Sequence, residues 1–197
     1  MSGALLIIVL GAPGAGKTTL ARQLAAELDL PLLVRDDFKE ILFDTLGWSD
    51  RPWSRKLGLA SARLLYYALE TFLAAGHSLV VESNFRNEYD AEHFAALQRR
   101  HGCRTVQVLC EAEPKVLLQR FRGRAESGER HPGHVDHVLV ADFAQVCRGG
   151  CWEALAIDGP VIRVDMNDLE AIDTAGIAGT IRALAEGGRG QGARDKE

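Results

Sequence analysis

No apolar run in the 197 residues approaches the ~20 that a membrane-spanning helix needs, so no membrane partner is expected. Cysteine is scarce. Cys103, Cys110, Cys147 and Cys151 show no framework spacing, which excludes a disulfide scaffold, and the thiols are expected to stay reduced. Cys147 and Cys151 could form a metal pair, but two thiols on a helix face or in a core are the better reading. A basic surplus is also missing. Lys and Arg number 23 against 27 Asp and Glu, a net charge of −4, so the composition gives no footprint for nucleic acid, although a local patch can hide in an acidic total. No basic leader precedes the first apolar stretch, so no signal peptide is expected and the location is read as cytoplasmic. There is no internal repeat. What remains is an apolar fraction of 47% and a length that suits one ordinary domain.

That domain is organised around residues 11–18. They read Gly11, Ala12, Pro13, Gly14, Ala15, Gly16, Lys17, Thr18, which fits the phosphate-binding pattern G-x-x-x-x-G-K-[ST] at every fixed position. A chance match in a chain of this length is on the order of one in a hundred. The apolar run before it reads as a buried strand, and the apolar spacing at 20, 21, 24, 25 and 28 reads as a helix. Glycines let the backbone close tightly on an anion, and the N–H groups and helix N-terminus then face it. Lys17 is expected to reach the β- and γ-phosphates of ATP, and the Thr18 hydroxyl to ligate Mg²⁺. Thr19 completes the candidate nucleotide-binding set.

Further along, residues 31–34 read as a second strand, followed by Arg35, Asp36, Asp37 and Phe38. One aspartate can serve as an N-cap. Beyond the carboxyl end of a strand, however, a carboxylate is also placed to accept a proton from an attacking hydroxyl. Residues 47–54 read as a loop with two tryptophans, either a substrate wall or a packed Ω-loop, and residues 55–75 as a long helix closed by Gly76. The third strand, 78–82, ends in Glu82, whose burial calls for a partner such as Mg²⁺ or Lys17. Asn87 and Glu88 cap a helix to about residue 100, and residues 104–110 form the fourth strand. A helix opens at Glu113 and Pro114, and its apolar pattern stops at Phe121. The glycines and arginines that follow suggest a lid over about 120–137, carrying Arg120, Arg124 and Arg130. His131, His134 and His137 invite a zinc site, but Pro132 and Gly133 break a single helical face and no fourth ligand is evident. A fifth strand at 161–165 and a last helix from Asp168 complete a single domain of residues 1–186, and 187–197 reads as a disordered tail. The alternation predicts an α/β fold, a three-layer sandwich on a five-stranded parallel sheet.

On these motifs the chain resembles the P-loop kinases of the AAA-domain "predicted kinase" group, whose relatives include gluconate kinase, zeta toxin, chloramphenicol phosphotransferase and the kinase domain of phage-type polynucleotide kinase. The likeness covers about residues 4–165. It implies a P-loop NTPase fold and transfer of the γ-phosphate of ATP to a hydroxyl of a small molecule. In the polynucleotide kinases the first aspartate of Arg-Asp-Asp-Tyr activates the hydroxyl, which gives Asp36 the general-base role; Lys39 stands where they carry an arginine that contacts substrate phosphate. Glu82-Ser83-Asn84 resembles their strand-three ending, which places Mg²⁺ at Thr18 and Glu82. Their lid arginines lie four apart, as do Arg120 and Arg124. By that likeness Arg124 contacts the γ-phosphate and Arg120 lies near the adenine or the lid base. Catalysis thus falls to Lys17, Asp36 and Arg124. A polynucleotide 5′-hydroxyl kinase and a regulatory ATPase without acceptor are the alternatives.

Overall fold

The computed structural model describes residues 3–128, 130–149 and 152–187. The run before the glycine-rich loop is β1 (Leu5–Gly11), and all but its first residue is buried. Burial on both faces explains its unbroken apolar character, because a strand inside a parallel sheet has no solvent side. Around it lie β2 (Leu32–Val34), β3 (Leu79–Glu82), β4 (Arg104–Glu111) and β5 (Val161–Asp165), all parallel in the order β2-β3-β1-β4-β5. The helices are α1 (Lys17–Leu28), α2 (Arg35–Leu46), α3 (Arg51–Ala74), α4 (Asn87–His101), α5 (Pro114–Ser127), α6 (Asp136–Gly149) and α7 (Thr174–Gly187); a 3-10 turn spans Pro132–His134.

Side chains of β1 alternate between two cores. Ile7 and Val9 join Leu20 and Leu24 of α1, Phe121 of α5, Phe143 of α6 and Ile181 of α7. Leu6, Ile8 and Leu10 join Leu65, Leu69 and Leu73 of α3 and Phe94 of α4. The expected five-stranded parallel sheet with helices on both faces is therefore the observed architecture.

Several boundaries differ from the sequence reading, each for a local reason. Neither Asp36 nor Asp37 caps α2: Val34 occupies that position and no side chain bonds there. Helix α3 starts at Arg51 and not at 55, because the Asp50 carboxylate accepts from Trp53 N at 2.9 Å and Pro52 sits in the first turn. The expected loop of 47–54 shrinks accordingly, and the Trp53 indole N–H donates to the Gly47 carbonyl across it at 2.9 Å. Asn87 does not cap α4 either; its amide donates to Ala154 O and its carbonyl accepts from Ala156 N, at 3.0 and 2.6 Å. Helix α5 continues past Phe121, through Gly123, to Ser127. Helix α7 starts at Thr174 and not at Asp168, with the Asp173 carboxylate accepting from Gly176 N at 2.9 Å. Of the stretch 187–197 read as a tail, Gly187 is the last residue of α7, and 188–197 lie outside the described residues, as do the side chains of Cys147 and Cys151. Cys103 and Cys110 are buried free thiols. Among the described residues no helix is long and apolar enough to cross a membrane.

Candidate functional site

In an all-parallel sheet every carboxyl end lies on one edge. Val9 and Val34 both stand in register with Glu82, so that edge collects the glycine-rich loop after β1, the start of α2 after β2, and Glu82 at the end of β3. The loop closes through left-handed backbone at Gly14 (φ +79°) and Gly16 (φ +85°). A Cβ at Gly14 would lie 2.9 Å from the Leu117 carbonyl, and one at Gly16 would lie 2.8 Å from Leu169 Cδ2. Both positions thus favour glycine for conformation, and Gly14 for space as well, since its neighbour is backbone whereas the Leu169 side chain can move.

Lys17 opens α1 and folds back, its Nζ donating to the Ala12 carbonyl at 2.8 Å and lying 3.9 Å from Glu82 Oε1. Burial pulls the Lys17 ammonium down from its ordinary range. The Thr18 hydroxyl donates to Glu82 Oε2 at 2.9 Å. Glu82 is only 4% exposed, and burial pushes its carboxyl up against the pull of Lys17. A hydroxyl and a desolvated carboxylate, held together beside a phosphate-binding loop, are the oxygen donors that Mg²⁺ takes, so the residues present fit that ion.

Asp36 faces the same cavity, whereas Asp37 turns outward to Arg22 of α1 at 3.5 Å. Arg130 reaches across from beyond α5, its Nη2 donating to Asp36 Oδ2 at 2.6 Å. Burial would raise the Asp36 carboxyl, but the surrounding cations, Arg130 foremost, overcome it and hold the group at about 2. Arg130 is itself positioned by His134, whose Nδ1 lies 2.9 Å from the same Nη2 and whose Nε2 lies 2.9 Å from Glu40 Oε1. Burial, then the Arg130 cation, push the imidazole down to about 3. A neutral ring fits both contacts, with Nδ1 accepting from Arg130 and Nε2–H donating to Glu40. His131 stacks on Phe43 with ring centroids 4.9 Å apart and lies 3.3 Å from Asp44. Asp36, Glu40 and Asp44 are four residues apart on α2, and they meet Arg130, His134 and His131 in turn.

Arg124 and Arg130 share one carboxylate, Asp136, at 3.2 and 3.5 Å. Among the described residues the Nε atoms of both arginines are buried without a hydrogen-bond partner. The cavity, about 210 Å³, is lined by five cationic side chains (Lys17, Arg35, Lys39, Arg124, Arg130) and three carboxylates (Asp36, Glu82, Asp136). Surplus positive charge with orphaned guanidinium donors suits a polyphosphate.

Of the residues singled out in the sequence, Pro13, Lys17, Thr18, Asp36, Glu82 and Arg124 line this cavity together. Arg120 does not. Its guanidinium is held by the carbonyls of Met166 and Asn167 at 2.7 and 2.8 Å, joining α5 to the loop after β5 at the foot of the excursion. The three histidines disperse, His131 to Phe43, His134 to Glu40 and His137 to the surface, and among the described residues no three His, Cys, Asp or Glu converge as metal ligands. Sequence reasoning gave no site role to Arg35 or Asp136, and it weighed His134 as a zinc candidate and not as the partner of Arg130. The acidic residues of α2 at four-residue spacing were the available signal for a basic strap docked on that helix.

The family model AAA_33, described as an AAA domain, matches residues 6–148. Among solved structures, the chain is 40% identical to a "putative kinase" from Chloroflexus aurantiacus, over 93% of this chain and 99% of that one, with a TM-score of 0.84. A gluconokinase from Sinorhizobium meliloti is 16% identical over 95% and 96%, with a TM-score of 0.52. The APS kinase CysC of Mycobacterium tuberculosis, solved with AMPPNP and APS, is 15% identical over 94% and 99%, with a TM-score of 0.53. The last two show a shared fold. No curated protein matches the chain.

Proposed function

Because the chain belongs to the AAA_33 family and has a kinase-like P-loop fold, we propose that it is a cytoplasmic phosphotransferase that moves the γ-phosphate of ATP to a hydroxyl of a small molecule. The observation that carries this reading is a carboxylate, Asp36, facing Lys17 and Thr18 across one cationic cavity. A nucleotide-binding switch needs the phosphate cradle alone; a base opposite the cradle suits an acceptor.

In this reading the amides of residues 12–18 and the Lys17 ammonium hold the phosphates. Thr18 and Glu82 would hold Mg²⁺, which when bound neutralises charge on the phosphate oxygens. Asp36 accepts the proton of the acceptor hydroxyl as that oxygen bonds to phosphorus and the bridging oxygen departs with ADP. While paired with Arg130, Asp36 is a weak base, so substrate must draw Arg130 away. Arg130 then joins Arg124 on the transferred group, using Nε donors that have no hydrogen-bond partner among the described residues. His134 keeps Arg130 aimed at the cavity, and the excursion after α5 excludes water.

The test is transfer of label from γ-labelled ATP with Mg²⁺ to sugars, nucleosides, small antibiotics and 5′-hydroxyl oligonucleotides. Label on one acceptor class, abolished together with ATP binding in Lys17→Ala, is the expected result. Phosphate release with no acceptor labelled would favour the regulatory ATPase instead.

A further inference from the structure

The Arg130–Asp36 pair is the inner end of a longer run of contacts between α2 and the strap of residues 130–135. Arg130 Nη2 faces Asp36 Oδ2 at 2.6 Å and His134 Nδ1 at 2.9 Å, and His134 Nε2 faces Glu40 Oε1 at 2.9 Å. We propose that Glu40 is a positioning residue: through His134 it latches Arg130 on Asp36 until an acceptor enters, and so restrains the hydrolysis of bound ATP by water. The inference rests on the phosphotransferase reading for the role of Asp36 and adds to it a guard against water.

These contacts fix the position of one proton. A guanidinium only donates, so the bond to Arg130 needs the Nδ1 lone pair, and the ring hydrogen must sit on Nε2. The His134 side chain is only 4% exposed, so that hydrogen needs a protein acceptor, and Glu40 supplies it. The ring is held in place by Phe43, which meets it edge-on at 5.2 Å and leaves no space for a side chain on Gly133. Arg130 is drawn from its other side by Asp136, whose Oδ2 lies 3.5 Å from Nε. The strap is also built to let go. It leaves its 3-10 turn through Val135, a β-branched residue in the left-handed region at φ +52° and ψ +36°. That backbone is strained, and the docked packing holds it there. Undocking relieves the strain, which lowers the work an acceptor must do to displace Arg130. The need for a guard is chemical. An unpaired carboxylate opposite a bound γ-phosphate accepts a proton from water as it does from an acceptor hydroxyl. The water oxygen bonds to the γ-phosphorus, its proton passes to Asp36, the bond to the bridging oxygen breaks, and ADP and phosphate leave. While Arg130 occupies Asp36, that step lacks its base, and the correct acceptor restores the base as it enters.

The experiment measures phosphate release from Mg·ATP with no acceptor present. It compares wild type with Glu40→Leu, Glu40→Gln, His134→Leu, and Glu40→Leu combined with Asp36→Asn, each checked for folding by its melting temperature. The Glu40 side chain is 40% exposed on α2, so the helix accommodates leucine. Leucine fills the space and accepts nothing, whereas glutamine keeps an oxygen that accepts from Nε2–H. The expected result is slow release by wild type and by Glu40→Gln. Release is about 10-fold faster in Glu40→Leu and in His134→Leu, the shift that follows the loss of one hydrogen bond from the latch. The gain disappears when Asp36→Asn is added. A merely structural role has the opposite sign, because a damaged site releases phosphate more slowly. Release from Glu40→Leu and His134→Leu at or below the wild-type rate would overturn the latch and leave the phosphotransferase standing, since label transfer by wild type tests that separately. A gain in Glu40→Gln equal to that in Glu40→Leu would overturn the action of Glu40 through the ring. A gain that survives Asp36→Asn would remove Asp36 as the proton acceptor and the latch with it.

Discussion

His134 is a buried imidazole at 5% exposure, wedged between a cation and a carboxylate, and its titration has a clear sign. Its folded-state value of about 3 lies below the ordinary value of 6.5. The unfolded chain therefore takes up this proton first as pH falls, and stability declines from pH about 6.5 toward about 3. One such proton costs up to about 1.4 kcal/mol per pH unit in that window. Asp36 acts lower down: its depressed carboxyl adds stability that is present above the ordinary carboxylate range and lost as pH falls through about 2. Melting temperatures are expected to agree at pH 7.5 and to fall for wild type from pH 6.5 through 5.5 to 4.5, and to flatten over that window for His134→Gln, which cannot take the proton. Parallel curves for the two proteins would mean that the ring is not held neutral. None of this was legible in the sequence. Arg-His-Pro-Gly-His names the residues, but the opposing Glu40 is 94 positions away.

At the scale of elements, α2 is the structural hinge of the site. Its first turn supplies Arg35 and Asp36, and its middle supplies Glu40 and Phe43. Phe43 is 1% exposed, stacks on His131, meets His134 edge-on at 5.2 Å and lies flat against Gly133, where a Cβ would come within 2.7 Å of the ring. Phe43→Ala is expected to cost about 3–5 kcal/mol. It should also free the 130–135 strap, so that trypsin cuts at Arg130 well before it cuts elsewhere. A digestion pattern identical to wild type would contradict the docking role. Helix periodicity made α1, α3 and the parallel strands legible. It failed at the start of α3, where Trp48, Pro52 and Trp53 looked like a loop although Asp50 and Pro52 are helix-start chemistry. It failed again in α5, whose last six residues pair no apolar face with the core and so carry no period.

For the whole molecule, the alternation of apolar strands and amphipathic helices was enough to specify the sheet and the position of the phosphate loop, because local pattern and parallel topology agree. The residues on the sheet's carboxyl edge were legible for the same reason: motif and topology put Lys17, Thr18, Asp36 and Glu82 together. The latch on Asp36 was not, since it joins α2 to a strap 94 positions away that only packing brings beside it. The account's central claim is that nucleotide binding and proton acceptance are separate tasks performed by opposite walls of one cavity. The direct measurement is Mg·ATP affinity and acceptor labelling in wild type and Asp36→Asn, side by side. Equal ATP affinity with labelling slowed by about 10²–10⁴-fold is the predicted result. Labelling at the wild-type rate, or phosphate released equally by both proteins with no acceptor labelled, would contradict it.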